Sequence, residues 1–136
     1  MSYMLGRDEV FWRLGHEKSD ELLETLKNLE NVNFQDEMGI SYLFVACDSH
    51  YVEAITILIE KSADPNLTDN RGRDPILGAI GRKSPNNSKI LEIFLEYGLD
   101  LNRMKGEITL KKLIQSFEEE ELNDVIKKYE EKQMPN

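Results

Sequence analysis

Few side chains in this sequence combine the types and spacings that do chemistry. His16 and His50 are its two histidines. A histidine acts as a general base or a metal ligand only in company, beside an orienting carboxylate or further ligands at short spacing. No Cys or carboxylate cluster at ligand spacing accompanies either one. His50 closes the segment Asp48-Ser49-His50 between two apolar periodic stretches, so it reads as a turn residue bonded to local backbone. Cys47, the single cysteine, cannot form an internal disulfide. It lies beside Ala46 on an apolar helix face and reads as a small buried hydrophobe. Glu118 to Glu121 are four consecutive carboxylates. Consecutive residues on a helix point in different directions, which makes them a solvated face rather than a metal site. Gly78 and Gly81-Arg82-Lys83-Ser84 lack the spacing of a phosphate-binding loop and follow a helix instead of preceding one. The sequence therefore offers no catalytic residue, no metal ligand set and no cofactor site.

What remains are turns and the helices between them. Asp69, Asn70, Arg71 and Gly72 form a turn, with Gly at the position where the backbone goes left-handed. Pro75 then suits the first turn of a helix, and Ile76, Ala79 and Ile80 give that helix an apolar face. The same text recurs. Asn33, Gly39 and Ala46 precede Asn66, Gly72 and Ala79 by 33 residues each. A third copy opens 36 residues after Asn66, at Asn102, and continues through Gly106 and Leu110. A repeat of this length, a turn followed by two helices, marks a helical solenoid.

The net charge of −9 argues against a nucleic-acid partner. The charge is uneven. Residues 1–66 carry a net −8, residues 67–115 a net +3 and residues 116–136 a net −4. A basic middle within an acidic body can orient a charged protein partner, or the acidity can serve solubility alone. No apolar run is long enough to cross a bilayer. The segment Met1 to Glu9 carries an acid pair where a signal peptide needs apolar residues, so a cytoplasmic protein is expected.

The residues Asp69-x-x-Gly72-x-Asp74-Pro75-Ile76-x-x-Ala79, with Ala63-Asp64-Pro65-Asn66 and Gly98-Leu99-Asp100-Leu101-Asn102, resemble the ankyrin-repeat pattern over about residues 20 to 132. The pattern has Thr where this chain has Asp74, and Thr-Pro where it has Ser41-Tyr42. The resemblance implies an all-α, ankyrin-like helical solenoid: one domain over 1–136, with units at about 1–32, 33–65, 66–101 and 102–132 and a frayed tail at 133–136. The first and last units act as caps, because the end faces of a solenoid meet water.

In the first unit a helix is expected from Asp8 to Leu14, ended by Gly15, with Val10, Phe11 and Leu14 inward and Trp12 at the edge of that face. Ser19 caps a second helix striped by Leu22, Leu23, Leu26 and Leu29. Ser41 to Cys47 and Tyr51 to Lys61 form the second pair. Pro75 to Gly81 and Lys89 to Tyr97 form the third, with Gly78, Ala79 and Gly81 admitting close approach of neighbouring helices. The fourth runs from Thr109 to Gln115, with Leu113 in the place of the earlier alanines, and from Phe117 to about Lys132. A capping box of Ser116 and Glu119 opens its last helix, with Glu118 to Glu121 in the first turn.

Carried onto this chain, the resemblance implies protein recognition at the projecting turns and inner-helix ends. The partner-binding residues are then Glu37, Met38, Ile40, Asp48, Asn70, Arg71, Arg73, Arg82, Met104, Lys105 and Glu107. Ser49 and Lys83 sit at the same helix ends. Arg71 and Arg73 are suited to bidentate carboxylate contacts, flanked by the apolar Met38, Ile40 and Met104. The expected function is a non-catalytic protein-binding module, monomeric when free, binding neither nucleic acid nor membrane. Small acidic ankyrin-type chains of this kind resemble bacterial immunity proteins that neutralise a cognate toxin. The alternatives are a regulatory or scaffold protein on an endogenous enzyme, and a host-directed effector.

Overall fold

The computed structural model describes residues 7–134. The readings of Met1 to Gly6 and of the last two residues lie outside these. Eight helices follow in four pairs: α1 (Arg7–His16) with α2 (Asp20–Lys27), α3 (Tyr42–Asp48) with α4 (Val52–Glu60), α5 (Pro75–Ile80) with α6 (Asn87–Glu96), and α7 (Leu110–Gln115) with α8 (Glu120–Gln133). The stretches before α3, α5 and α7 project as fingers 2, 3 and 4. Finger 4 carries a two-residue antiparallel ladder, β1 (Met104–Lys105) on β2 (Ile108–Thr109), a detail absent from the all-helical expectation.

The helices form two layers. The inner one stacks α1 on α3 and α3 on α5; the outer one stacks α2, α4, α6 and α8 in sequence. Leu22, Leu26, Ile55, Leu58, Ile59, Ile90, Leu91, Phe94, Leu122 and Ile126 line the outer helices toward the core, all essentially inaccessible. Each such side chain contributes about 1.5–3 kcal/mol by leaving water. No pair buries its stripe alone, and neighbours complete the burial. The two end pairs carry matching patterns: Leu14, Leu22 and Leu26 at one end, Ile114, Leu122 and Ile126 at the other.

Helix starts follow side-chain chemistry. Ser19, Ser41 and Thr109 each accept the N–H three residues on at 3.1 Å. Asp74 occupies the same N-cap position yet makes no capping bond. Helix stops follow backbone chemistry. At Gly98 φ is +106°, and the Leu99 N–H closes on Phe94 O at 2.9 Å. Ser62 stands at the equivalent position with φ +76°, and the Ala63 N–H closes on Leu58 O at 2.9 Å. A left-handed non-glycine residue costs roughly 1–2 kcal/mol. Ser62→Gly is therefore expected to raise stability by about 0.5–1 kcal/mol, read as a higher urea midpoint at unchanged m. A lower midpoint would mean that the serine stabilises this turn.

Several local expectations are corrected. Gly15 does not stop α1; the helix continues to His16, and a Cβ on Gly15 would touch Val45 Cγ1 at 3.9 Å. Ser116 and Glu119 form no capping box. Ser116 closes α7, its hydroxyl donating to Leu113 O at 2.5 Å, and α8 begins only at Glu120. Glu118 holds φ +57° in the turn, so only Glu120 and Glu121 lie in the first turn of α8. Aligning Thr109 with Ser41 and Asp74 puts the buried Ile114, not Leu113, in the place of Ala46 and Ala79. Gly78 admits no neighbouring helix, because a Cβ there would meet open space. At Gly81 the crowding comes from its own helix, 2.7 Å from Leu77 O. His50 is the turn residue the sequence implied: it takes φ +53° and its backbone N–H donates to Cys47 O at 3.0 Å. Burial and the nearby cations Arg82 and Lys18 hold its imidazole below the ordinary range. Cys47 is fully buried, and burial pushes its thiol well up, away from the reactive thiolate.

Candidate functional site

Fingers 2 and 3 are built alike. Asp36 Oδ1 accepts the N–H groups of Met38 at 2.8 Å and Ile40 at 2.9 Å. Asp69 Oδ1 accepts those of Arg71 and Arg73, both at 2.9 Å. Gly39 at φ +79° and Gly72 at φ +74° make the left-handed step. Burial raises the Asp69 carboxyl's affinity for a proton, but the hydrogen bonds from Arg73 and Arg71 outweigh it and hold the group below the usual range.

Finger 4 follows another plan. From Asn102 to the N-cap Thr109 it spans seven residues, where its counterparts from Asn33 to Ser41 and Asn66 to Asp74 span eight. The shorter finger closes as the β1–β2 ladder, with Gly106 at φ +71° in its two-residue loop.

The fingers are fastened sideways. The Asn70 N–H donates to Met38 O at 3.0 Å, and its Nδ2 to Glu37 O at 2.9 Å. Gln35 Nε2 bridges Gly39 O at 2.8 Å and Thr68 O at 2.9 Å. Below them, Asn33 Oδ1 accepts the Asp64 N–H and Asn66 Oδ1 the Asp100 N–H, both at 2.8 Å, so the repeated asparagine ties each unit to the next.

Finger 4 is held to finger 3 by charge. Helix α7 lies against α8 and the ladder, and its backbone does not come as close to α5 as α5 does to α3, although its buried Leu110 and Ile114 share one core with Ile76, Ala79 and Ile80. The buried Asp74 carboxylate spans the junction, pairing with Arg103 through Oδ1, with Lys105 Nζ 2.7 Å from Oδ2. Lys105 also donates to Gly72 O at 2.6 Å. The missing N-cap bond at Asp74 is thereby explained: its oxygens turn to two cations of the next unit instead of to the start of α5.

These contacts sort the expected partner-binding residues. Lys105 is drawn inward, its ammonium engaged by Asp74 and Gly72 O. Arg73 is committed too, its Nε 2.7 Å from Asp69 Oδ2 and its guanidinium 5.2 Å over the Phe44 ring. Asn70 is exposed, but its amide is spent on finger 2. Ile40 is half-buried beneath its finger. Arg71 is exposed, and its guanidinium has no partner among the described residues. Glu37 and Glu107 are exposed at neighbouring tips, as are Met38 at 51% and Met104 at 60%. Asp48, Arg82 and Lys83 are exposed at the inner-helix ends. Ser49 is not available, since its hydroxyl donates to Leu14 O at 2.8 Å.

Ile108 and Trp12 are exposed apolar residues that the expected partner-binding set does not include, and Trp12 does not lie at the edge of the inward face as expected. Ile108 is 38% exposed on β2. Trp12 is 50% exposed and stacks on His16 at 4.4 Å, with 14° between the planes. Counting back 33 residues from Gly78 to Val45 and again to Trp12 places the indole in the inner-helix row. That count was open to the sequence, but the degenerate first unit has no finger to anchor it.

Among the described residues no group of three or more His, Cys, Asp or Glu side chains is placed to hold a metal ion. No described helix is long and apolar enough to cross a membrane.

Stacked helix pairs with a fastened row of exposed fingers define a helical-repeat scaffold of the protein-interaction class. The family profile described as "Ankyrin repeats (3 copies)" matches residues 13–105, and the chain belongs to the ankyrin-repeat family. It is 33% identical over 76 residues to the ankyrin repeat domain-containing protein 63 of Mus musculus, a match covering 53% of this chain and 19% of that protein. Ankyrin repeat and KH domain-containing protein mask-1 of Caenorhabditis elegans is 35% identical over 66 residues, 48% of this chain and 2% of its own. The human BCL-6 corepressor-like protein 1 is 30% identical over 102 residues, 73% of this chain and 5% of its own. The chain thus spans less than a fifth of the length of each of these relatives. All three are animal proteins, and none is named as an immunity protein.

Proposed function

We propose that this chain is a non-catalytic module that binds another protein through its finger edge. The supporting observation is the combination of Arg71, exposed and without a partner among the described residues, with exposed methionines on the fingers either side, all on a hydrogen-bonded base. A preorganised edge loses little freedom on binding, and an arginine flanked by apolar anchors is a common source of affinity.

Neutralisation of a cognate toxin is the finer form of this reading. Its support is the net charge of −9, which suits a basic toxin such as a nuclease. The animal relatives favour the regulatory or scaffold form. Affinity purification with the intact chain, followed by mass spectrometry and an activity assay of the captured protein, distinguishes them. Stoichiometric loss of a toxin's activity supports the first, and capture of a housekeeping enzyme the second.

The surface itself is tested by Arg71→Glu alone. Arg73→Glu would set a second carboxylate against buried Asp69 and disturb finger 3, so it is a poor probe. Arg71→Glu is expected to leave the melting temperature nearly unchanged, as exposed substitutions usually do. It should weaken the captured partner about tenfold by calorimetric titration, equivalent to about 1.4 kcal/mol. Unchanged affinity would remove Arg71 from the interface.

A further inference from the structure

The tips of fingers 2, 3 and 4 present a pattern that only the folded chain displays. Finger 2 offers Met38 beside the anion Glu37. Finger 3 offers the cation Arg71. Finger 4 offers Met104 and Ile108 beside the anion Glu107. All six are exposed. The other cations of the finger row are already occupied, Arg73 by Asp69 and Lys105 by Asp74 and Gly72. The edge is therefore apolar at both ends and positive once, in the middle, with a negative charge at each end.

In finger 4 the ladder pairs Met104 with Thr109 and Lys105 with Ile108. Alternation along a strand puts Met104 and Ile108 on opposite faces of the hairpin. A partner passing on either face of finger 4 meets an apolar side chain.

The geometry points to an extended partner segment with one acidic residue at its centre and an apolar residue toward each end, lying across the three fingers. This deepens the reading of the finger edge as a docking surface and rests on it. Packed helices stand about 8–10 Å apart, so two unit steps from finger 2 to finger 4 cover roughly 16–20 Å. An extended chain covers about 3.3–3.6 Å per residue, which puts about five or six residues between the apolar anchors. The acid then falls about three positions from each. Glu37 and Glu107 repel acids at the ends, so a uniformly acidic segment is disfavoured although the centre of the edge is cationic.

The test is selection of a displayed library of 12-residue peptides on the intact chain and, separately, on Arg71→Glu. Enriched peptides are expected to carry one Asp or Glu with an apolar residue about three positions to either side. On Arg71→Glu the central acid should give way to Lys or Arg. In synthetic versions, replacing the central Glu by Gln is expected to weaken binding about fivefold, as is moving it to either end. An enriched set without a central acid, or no enrichment, overturns the inference. If a captured partner protein still loses affinity on Arg71→Glu in that case, the finger edge stands as the docking surface and only the extended segment fails. If peptides of the expected pattern bind Arg71→Glu combined with Met38→Ala as well as they bind the unaltered chain, both readings fail together.

Discussion

Asp74→Ala is expected to cost about 2–3 kcal/mol. Removing one partner from a buried ion pair leaves uncompensated charge behind, typically at about 3–5 kcal/mol. The loss is smaller here because Arg103 and Lys105 each keep 22% of their side-chain surface in contact with solvent. Asp74→Thr, which installs the family's residue, should lose about 1 kcal/mol less, because a threonine hydroxyl caps α5 as Ser41 and Thr109 cap their helices. In chemical denaturation the order of midpoints is then the unaltered chain, Asp74→Thr, Asp74→Ala. A cycle with Arg103→Ala should show coupling above about 1 kcal/mol. Equal midpoints for Thr and Ala, or additivity with Arg103→Ala, would show that the carboxylate does not fasten finger 4. The cluster need not outperform a well-packed apolar replacement. Its distinctive effect is positional: Asp74 together with Gly72 O holds Arg103 and Lys105, and with them the register of finger 4 on finger 3.

Gly39→Ala and Gly72→Ala occupy the same turn position, 33 residues apart, and should nevertheless differ sharply. Both residues hold positive φ, which costs an alanine roughly 1–2 kcal/mol. At Gly72 a Cβ meets nothing within 4 Å, so that cost is the whole effect. At Gly39 it would stand 2.5 Å from Asn70 Oδ1 and 2.7 Å from the Asn70 backbone nitrogen. The backbone nitrogen cannot step aside without breaking the Asn70–Met38 bond between fingers. Overpacking of this kind adds about 1–3 kcal/mol, for a total of about 2–4 kcal/mol at Gly39. Asn70→Gly in the same chain should recover only the side-chain part. Faster amide hydrogen exchange at Asn70 in Gly39→Ala would report the opened link. Equal denaturation midpoints for the two alanine variants would refute the contact.

The recurring text at 33 residues was enough to read the helix pairs and the finger glycines, and the serine ahead of an apolar stripe was enough to read the cap Ser19, because each is a local consequence of backbone geometry or of a hydroxyl three residues from an N–H. The first unit also read correctly in its inward face, since Val10 and Leu14 are four apart whatever follows them. The errors cluster where the text degenerates. Without a Pro or Gly to mark its start, α8 was begun too early, and the four glutamates drew a capping box that the left-handed Glu118 prevents. Gly106 stands four residues after Asn102, where Gly39 and Gly72 stand six after theirs, so counting onward from the finger glycine lands on Leu113 instead of Ile114.

The recognition edge was legible in location and not in composition. That tips project follows from the repeat, but which tip side chains remain available depends on folded contacts, 33 residues away in sequence for Asn70 to Glu37 and Lys105 to Gly72, and four residues away for Arg73 to Asp69. Asp74, read as a departure from the family's threonine, proved to be the counter-charge for Arg103 and Lys105. Arg73 and Lys105 looked equivalent to Arg71 in the sequence and are not, because each has a buried carboxylate within reach. What the chain's order of residues determines by itself is the set of elements and their stacking, through local periodicity and the need of each pair to bury its apolar stripe. What only tertiary structure decides is the charge left facing a partner, because a side chain's partner is fixed by distance in space, and the stacking brings residues of successive units within bonding range.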